Sequence, residues 1–197
     1  MSRPRVVIGI SGASGAAIGV RVVERLAASQ RCEVHLVLSH AAERTLAHEV
    51  GPEAVSRLAA LVHRRHPFED VGASIASGSF RTAGMIVAPC SAHSLSAIAY
   101  GAADNLLIRA ADVHLKERRR LVLLLRESPL HLGHIRAMAQ ATEMGAIIAP
   151  PVPAFYLKPH SVADIVDQLA ARAIDLLGLP LAGEACAQEW QGETQAP

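Results

Sequence analysis

The sequence predicts an α/β fold in which a parallel sheet is covered by helices on both faces. Apolar β-branched runs of strand length alternate with longer segments of helical periodicity. Hydrophobic residues make up 51% of the 197 residues but aromatic residues only 3%, so Ala, Val, Ile and Leu must build the core. Such a core is typical of strands that are buried on both faces.

Five strands are predicted, and helical segments lie between them. The strands are Arg5–Ile10, Glu33–Leu38, Met85–Ala88, Leu121–Leu125 and Ala146–Ala149. The helices are Ala16–Ala28, Ala41–Val50, Glu53–Leu61, Leu95–Ala99, Leu106–Glu117, Leu130–Glu143 and Val162–Leu177. This alternation predicts parallel strands that are joined by right-handed crossovers. The segment His63–Arg81 lacks periodicity, and we expect it to be an irregular surface excursion.

The length suits one domain, which we expect over residues 1–181, followed by a polar tail over 182–197. We expect Trp190 in that tail to dock on a neighbouring subunit. The cysteines Cys32, Cys90 and Cys186 are odd in number and widely scattered, which predicts a reducing cytoplasm without a disulfide framework. No Cys/His spacing resembles a structural zinc site, and Cys90 is interpreted as a small packing residue.

The charge balance and hydropathy exclude two classes of partner. Lys and Arg number 19 against 18 Asp and Glu, and a net charge of +1 argues against a general nucleic-acid binder. No apolar stretch is long enough to span a bilayer, and no signal peptide is evident. These observations predict a cytoplasmic protein without membrane attachment.

The segment after the first strand is rich in small residues. Gly9, Gly12 and Gly15 precede a helix, whose N-terminal amides and dipole favour an anion such as a phosphate. Their spacing is neither that of a dinucleotide fingerprint nor that of an ATP-type phosphate loop. A tight turn that packs the helix closely on the sheet explains the same residues equally well.

Polar chemistry follows each of the five predicted strands. Because ligands of such sheets bind beyond the carboxyl ends of the strands, this convergence predicts a site at that edge. The segments are Ser11–Gly15, Ser39-His40, Pro89–Ser94, Arg126–Ser128 and Pro150–Tyr156.

Several charged residues are candidate phosphate ligands, since Arg offers a bidentate fork and Lys a point charge. They are Arg109, Lys116, Arg126 and Arg172. A surface ion pair between Arg109 and Asp112 is an equally good explanation of Arg109. His131 and His134 stand at i, i+3 spacing without a third partner, so we interpret them as helix-face residues rather than metal ligands.

Seven segments in order resemble the flavin prenyltransferases (UbiX-like), formerly described as 3-octaprenyl-4-hydroxybenzoate or aromatic-acid decarboxylases. The resemblance runs from Val6 to about Gly178. The segments are Gly9–Gly15, Ala76–Thr82, Ala88–Ser91, Arg109–Asp112, Leu115–Arg119, Arg126–His131 and Pro150–Tyr156.

The resemblance implies a flavodoxin-like Rossmann three-layer fold and a dodecamer with FMN bound between subunits. It implies transfer of a dimethylallyl group from dimethylallyl monophosphate to N5 and then C6 of reduced FMN, without a metal. The product would be the cofactor of a UbiD-type decarboxylase, in ubiquinone biosynthesis or aromatic-acid degradation.

The resemblance also implies site residues by position. The flavin site comprises Gly12, Ala13, Ser14, Ser39, Ser91, Ala92, His93, Ser94 and Arg126. The prenyl-phosphate site comprises Arg109, Lys116, Tyr156 and Arg172, and the catalytic group comprises Ser14, Glu49, Lys116 and Glu127. Ala92-His93 departs from the family, which commonly has Met-Lys there.

Two other functions are compatible with a flavin-binding fold. One is an FMN-dependent decarboxylase of cysteine-type substrates, which relies on a His and an Asn-rich motif that this sequence does not place. The other is a non-catalytic flavin carrier, which would not need the second phosphate site that Arg109, Lys116 and Arg172 suggest.

Overall fold

The computed structural model describes residues 3–179 and 186–187. Its strands are β1 (Arg5–Ile10), β2 (Glu33–Leu38), β3 (Arg64–His66), β4 (Gly84–Cys90), β5 (Arg120–Leu125) and β6 (Ile147–Ile148). Its helices are α1 (Ala16–Ser29), α2 (His40–Glu49), α3 (Ala54–Leu61), α4 (Ala92–Tyr100), α5 (Leu106–Lys116), α6 (Leu132–Glu143) and α7 (Val162–Asp175), with short 3-10 turns at Ser74–Ala76 and Phe155–Leu157.

The six strands form one parallel sheet in the order β3-β2-β1-β4-β5-β6. This confirms the predicted α/β, flavodoxin-like architecture. Without β3 the order is that of flavodoxin, and β3 extends it by one strand at the edge. The strand order reverses between β1 and β4, which makes the carboxyl ends of these two strands the expected position of a ligand.

The prediction for His63–Arg81 was wrong in part, because this segment contains β3. That strand has three residues, Arg64 and Arg65 are exposed, and among the described residues it pairs with β2 alone. A short edge strand with charged side chains lacks the apolar alternation by which a strand is predicted from sequence.

Each face of the sheet carries its own apolar core. Alternate strand residues point to opposite faces, so Ile8 packs with α1, α2, α3 and α7, whereas Val7 packs with α4, α5 and α6. Both side chains are fully buried. The predicted Ala-, Val-, Ile- and Leu-rich core is therefore present on both faces.

Buried histidines interrupt these cores. In His114 of α5, Nε2 lies 2.9 Å from Oγ1 of Thr82 and Nδ1 lies 2.7 Å from the carbonyl oxygen of Ala110. His35 of β2 is also buried. Burial lowers the pKa of each of these two histidines to about 4.

No helix within the described ranges is long and apolar enough to cross a membrane.

Gly19 lets α1 lie directly on the sheet. A Cβ atom at this position would be only 2.1 Å from the carbonyl oxygen of Ala88 in β4. Gly12 is constrained in the same way, since its Cβ would be 2.3 Å from that of Ala41. Both glycines support the interpretation of a tight, closely packed strand–helix connection.

Replacing Gly19 with Ala tests this contact. Alanine favours a helix over glycine by about 1 kcal/mol, but the collision with a backbone oxygen should outweigh that gain. We expect a net loss of about 1–3 kcal/mol in the free energy of unfolding, measured in urea. Gly72→Ala is the control, because its nearest neighbouring atom is 3.5 Å away; equal stability of the Gly19→Ala protein would contradict the close approach.

Candidate active site

The β1–α1 loop is held by a carboxylate from α2. The amides of Gly15 and Ala16 both donate hydrogen bonds to Oε2 of Glu49, at 2.8 Å each. Nε of Arg126 donates to the carbonyl oxygen of Ser14 at 3.1 Å. Glu49 therefore occupies the N-terminus of α1, for which the loop pattern left two explanations open, an external anion such as a phosphate and a tight packing turn.

The environment of Glu49 favours its ionised form. Burial raises its pKa, but hydrogen bonds from the Ser14 side chain and from the Ala16 and Gly15 amides outweigh burial, and the charge of Arg126 adds to them. The net pKa lies below the ordinary value. Glu49 is thus a fixed anion that orients Ser14.

A second group of hydrogen bonds joins the loops after β1 and β4. Oγ of Ser11 donates to the carbonyl oxygen of Pro89 at 2.8 Å and accepts from the amide of Ser91 at 2.7 Å. Oγ of Ser91 in turn accepts from the amide of Ser94 at 3.1 Å and caps α4. Ser11 lies within the predicted polar segment Ser11–Gly15, but it was not among the residues assigned to the flavin site.

The predicted flavin residues lie along one edge of the sheet. Ser39 follows β2 and caps α2, while Ala92 and the exposed His93 open α4 after β4. Arg126 follows β5, and its amide donates to the carbonyl oxygen of Cys90 at 3.0 Å. Together with the loop of residues 12–14, these groups surround the carboxyl ends of four adjacent strands.

Cys90 lies at this edge as a packing residue. Its side chain has no exposed surface, and burial raises the pKa of its thiol to about 12. The structure thus places a protonated, covered sulfur beside Ser91, as the sequence interpretation expects.

Tyr156 and Arg172 line a cavity of about 1120 Å³ between the segment 152–157 and α7. Both side chains are exposed, and Arg172 lies 4.0 Å from the carboxylate of Asp175. None of the predicted flavin residues lines this cavity. Glu127 is separate from it, at the end of β5, where it accepts from the amide of Ser128 at 3.0 Å.

The remaining cations lie on α5 and are paired. Arg109 bonds the carboxylate of Asp112 at 2.7 Å, so the ion pair forms, and Nζ of Lys116 bonds Glu117 at 2.6 Å. Hydrogen bonding to Lys116 lowers the pKa of Glu117. Lys116 also lies over Gly78, where an added Cβ would be 2.9 Å from its Nζ.

Arg119 holds the loop of residues 78–82, which lies beside Lys116. Its guanidinium donates to the carbonyl oxygens of Gly78 at 2.5 Å and Phe80 at 3.0 Å, and to Oγ1 of Thr82 at 3.1 Å. Sequence reasoning did not single out Arg119 as a site residue, although the motif that contains Gly78 was noted.

Within one protomer, Lys116 and Glu127 do not meet. Lys116 precedes β5 and Glu127 follows it. Arg120, at the start of β5, pairs with Gly84, the first residue of β4, so Lys116 lies near the amino ends of these strands. A strand of six residues spans about 20 Å, which separates the two groups.

Comparison with known proteins identifies the protein family. The flavoprotein family model matches residues 1–174, and the chain belongs to this family. Within it, the chain belongs to the UbiX flavin prenyltransferases: it is 55% identical over 177 residues to flavin prenyltransferase UbiX of Thauera aromatica, covering 89% of each chain.

Two solved structures extend this likeness to the fold. One is AnUbiX in complex with FMN and dimethylallyl pyrophosphate, with a TM-score of 0.89 and 45% identity over 96% of this chain and 98% of that one. The other is the dodecameric FMN-dependent UbiX-like decarboxylase of Escherichia coli O157:H7, with a TM-score of 0.88 and 44% identity over 95% and 100%.

The hydrogen bonds from the Gly15 and Ala16 amides to Glu49, which we call the Glu49 clamp, predict how the stability of the fold depends on pH. Because the folded-state pKa is lowered, the stability from ionised Glu49 is fully present above the ordinary pKa of 4.5 and is lost as pH falls through the folded value. In urea unfolding, wild type should exceed Glu49→Gln at pH 7, and the difference should shrink in acid. Glu143→Gln, at the exposed end of α6, is the control; a difference that grew in acid would contradict the clamp.

Proposed function

We propose that this protein is a flavin prenyltransferase that transfers a dimethylallyl group from dimethylallyl monophosphate to N5 and then C6 of reduced FMN. The observation that carries the proposal is the likeness, over 96% of the chain, to a UbiX protein in complex with FMN and dimethylallyl pyrophosphate. The edge around Ser14, Glu49 and Arg126 supplies groups that suit both substrates.

The flavin suits the edge formed by the β1, β2 and β4 loops. Hydroxyl groups of Ser39, Ser91 and Ser94 stand at the N-termini of α2 and α4, where amides and helix dipoles favour a phosphate. The α1 N-terminus already holds the negative charge of Glu49, whereas α2 and α4 are capped by neutral hydroxyls, so the flavin phosphate belongs to α2 and α4. The loop of residues 12–14 then lies beside the ring system, with Ser14 near N5.

The prenyl-phosphate ligands belong to two separate groups. Lys116 and Arg109 are on α5, whereas Glu127, Tyr156 and Arg172 are on elements that follow β5. A site that needs both Lys116 and Glu127 must take them from two copies of the chain. This supports a homo-oligomer with sites between subunits, and the dodecamer of the related Escherichia coli protein supports that size.

An exposed apolar surface supports the same assembly. Leu130, Leu132 and Ile135 lie close together in the chain near the start of α6 and are 42%, 58% and 49% exposed. Contiguous apolar side chains on a surface mark contacts with other proteins. Neighbouring copies would cover them.

The charged groups suit the chemistry of the transfer. The bond between the allylic carbon and the phosphate oxygen breaks, and the phosphate leaves with the electron pair. Lys116, Arg109 and Arg172 would stabilise the growing negative charge, which is the dominant contribution in such transfers, while Tyr156 holds a phosphate oxygen. Glu49 and Glu127 are the candidates for moving protons, together with the released phosphate.

The proposed reaction also bears on the recipient of its product, the cellular location and the extent of the catalytic domain. The prenylated flavin would pass to a UbiD-type decarboxylase, and the protein would work in the cytoplasm without a metal. Residues 1–181 would form the catalytic domain. Trp190 and most of the 182–197 tail lie outside the described residues.

The first test is anaerobic turnover. We expect protein loaded with reduced FMN and given dimethylallyl monophosphate to release a flavin that is heavier by one C5H8 unit in mass spectrometry. Dimethylallyl diphosphate, supplied in parallel, identifies the preferred donor. Bound but unmodified FMN with both donors would overturn the proposal; release of carbon dioxide from a cysteine-type substrate would establish the decarboxylase, and transfer of FMN to a partner the carrier.

Replacing Lys116 tests whether this residue stabilises the leaving phosphate without contributing to flavin binding. We expect Lys116→Ala to retain FMN, measured by fluorescence quenching, and to lose about 10²–10³-fold in kcat, because one cation facing the leaving phosphate is gone. Arg31→Ala removes an exposed cation between α1 and β2 and is the control. Wild-type turnover by the Lys116→Ala enzyme would remove this residue from the site.

A further inference from the structure

Three metal-ligand side chains meet near the amino end of β2, at the opposite end of the strands from the candidate active site. Glu33 and His35 stand two residues apart on β2 and so share one face of the strand, and His63 directly precedes β3. Their ligand atoms all lie within 4.8 Å of one another. The set combines a carboxylate with two imidazoles.

His35 has a nitrogen that needs a partner. Its side chain is only 3% exposed. Nδ1 lies 3.0 Å from Nε2 of His66, whereas Nε2 of His35 is buried without a hydrogen-bond partner among the described residues. An unpaired buried polar atom costs free energy, and a bound cation would remove that cost.

We propose that Glu33, Nε2 of His35 and His63 bind a divalent transition-metal ion, for which Zn²⁺ is the best match. Zn²⁺ commonly takes two histidines, one carboxylate and a water molecule in tetrahedral geometry. This site is separate from the proposed prenyl transfer and does not rest on it.

His66 completes the arrangement. A histidine that binds a metal through one nitrogen usually donates the other N–H to a neighbouring acceptor, which fixes its tautomer and orientation. Nε2 of His66 lies 3.0 Å from Nδ1 of His35 and would be that acceptor in the tautomer that carries the proton on Nδ1 of His35. His66 belongs to β3 and His63 precedes it, so a bound ion would tie the short edge strand to β2.

Two arginines set limits on the affinity. Nε of Arg5 lies 3.1 Å from Oε2 of Glu33 and its guanidinium stacks on Phe80 at 4.4 Å, which leaves Oε1 for the ion. Arg64 is the neighbour of His63 in the chain. Both cations repel a divalent ion, so Arg5→Gln should tighten binding.

The test titrates Zn²⁺ into the purified full-length protein after chelator treatment, by calorimetry. We expect one equivalent per chain in this site. His63→Ala and Glu33→Gln should each weaken it at least tenfold, in line with the loss of a ligand or its support. His63 is exposed, so its replacement should leave the fold intact, whereas loss of the buried His35 is less informative.

Two further measurements exclude adventitious binding. His131 and His134 stack with ring centroids 3.6 Å apart and form an alternative histidine pair, so His134→Ala is the matched control. Co²⁺ in the wild type should give the intense visible absorption of a tetrahedral site, and this absorption should disappear in His63→Ala but remain in His134→Ala. No saturable binding, or binding unchanged by His63→Ala, would overturn the proposal.

Discussion

The Glu49 carboxylate connects the elements on which the candidate active site is built. It accepts both N-terminal amides of α1 from its position at the end of α2, and Arg126 reaches the same loop from the end of β5. Three connections of the sheet thereby meet at Ser14. Since the anion is part of the chain, the loop has its working shape before a ligand arrives, and binding need not supply the free energy to order it.

The periodicity of apolar residues was sufficient to predict most strands and helices of the fold. The core strands alternate strictly between two buried faces, so their positions were predictable from apolar runs, whereas β3 is charged, short and at an edge.

The candidate site was only partly predictable from the sequence. Glu49 lies 34 residues from Gly15, and pairing at that distance depends on how α2 packs, which no local pattern encodes. The Glu33–His35–His63 cluster was not predicted, because His63 lies 28 residues from His35 and reaches it through the pairing of β3 with β2.

In the proposed reaction, the division of the phosphate ligands between two regions of the chain has a physical benefit. A site completed by a neighbouring copy is closed by apolar surface as well as by charge, and an allylic cation survives only where water is excluded. The cations Arg109 and Lys116 are paired with Asp112 and Glu117 in the single chain. In the proposed reaction, the phosphate would replace these acidic partners.

The covered thiol of Cys90 bears on how long such an enzyme would last. A thiolate is the strongest nucleophile that a protein ordinarily offers, and an allylic electrophile within reach would alkylate it irreversibly. Here the sulfur is protonated at neutral pH and shielded by packing, although it stands one residue from Ser91. In the proposed reaction, this shielding would leave the reduced flavin, and not Cys90, to receive the allylic group.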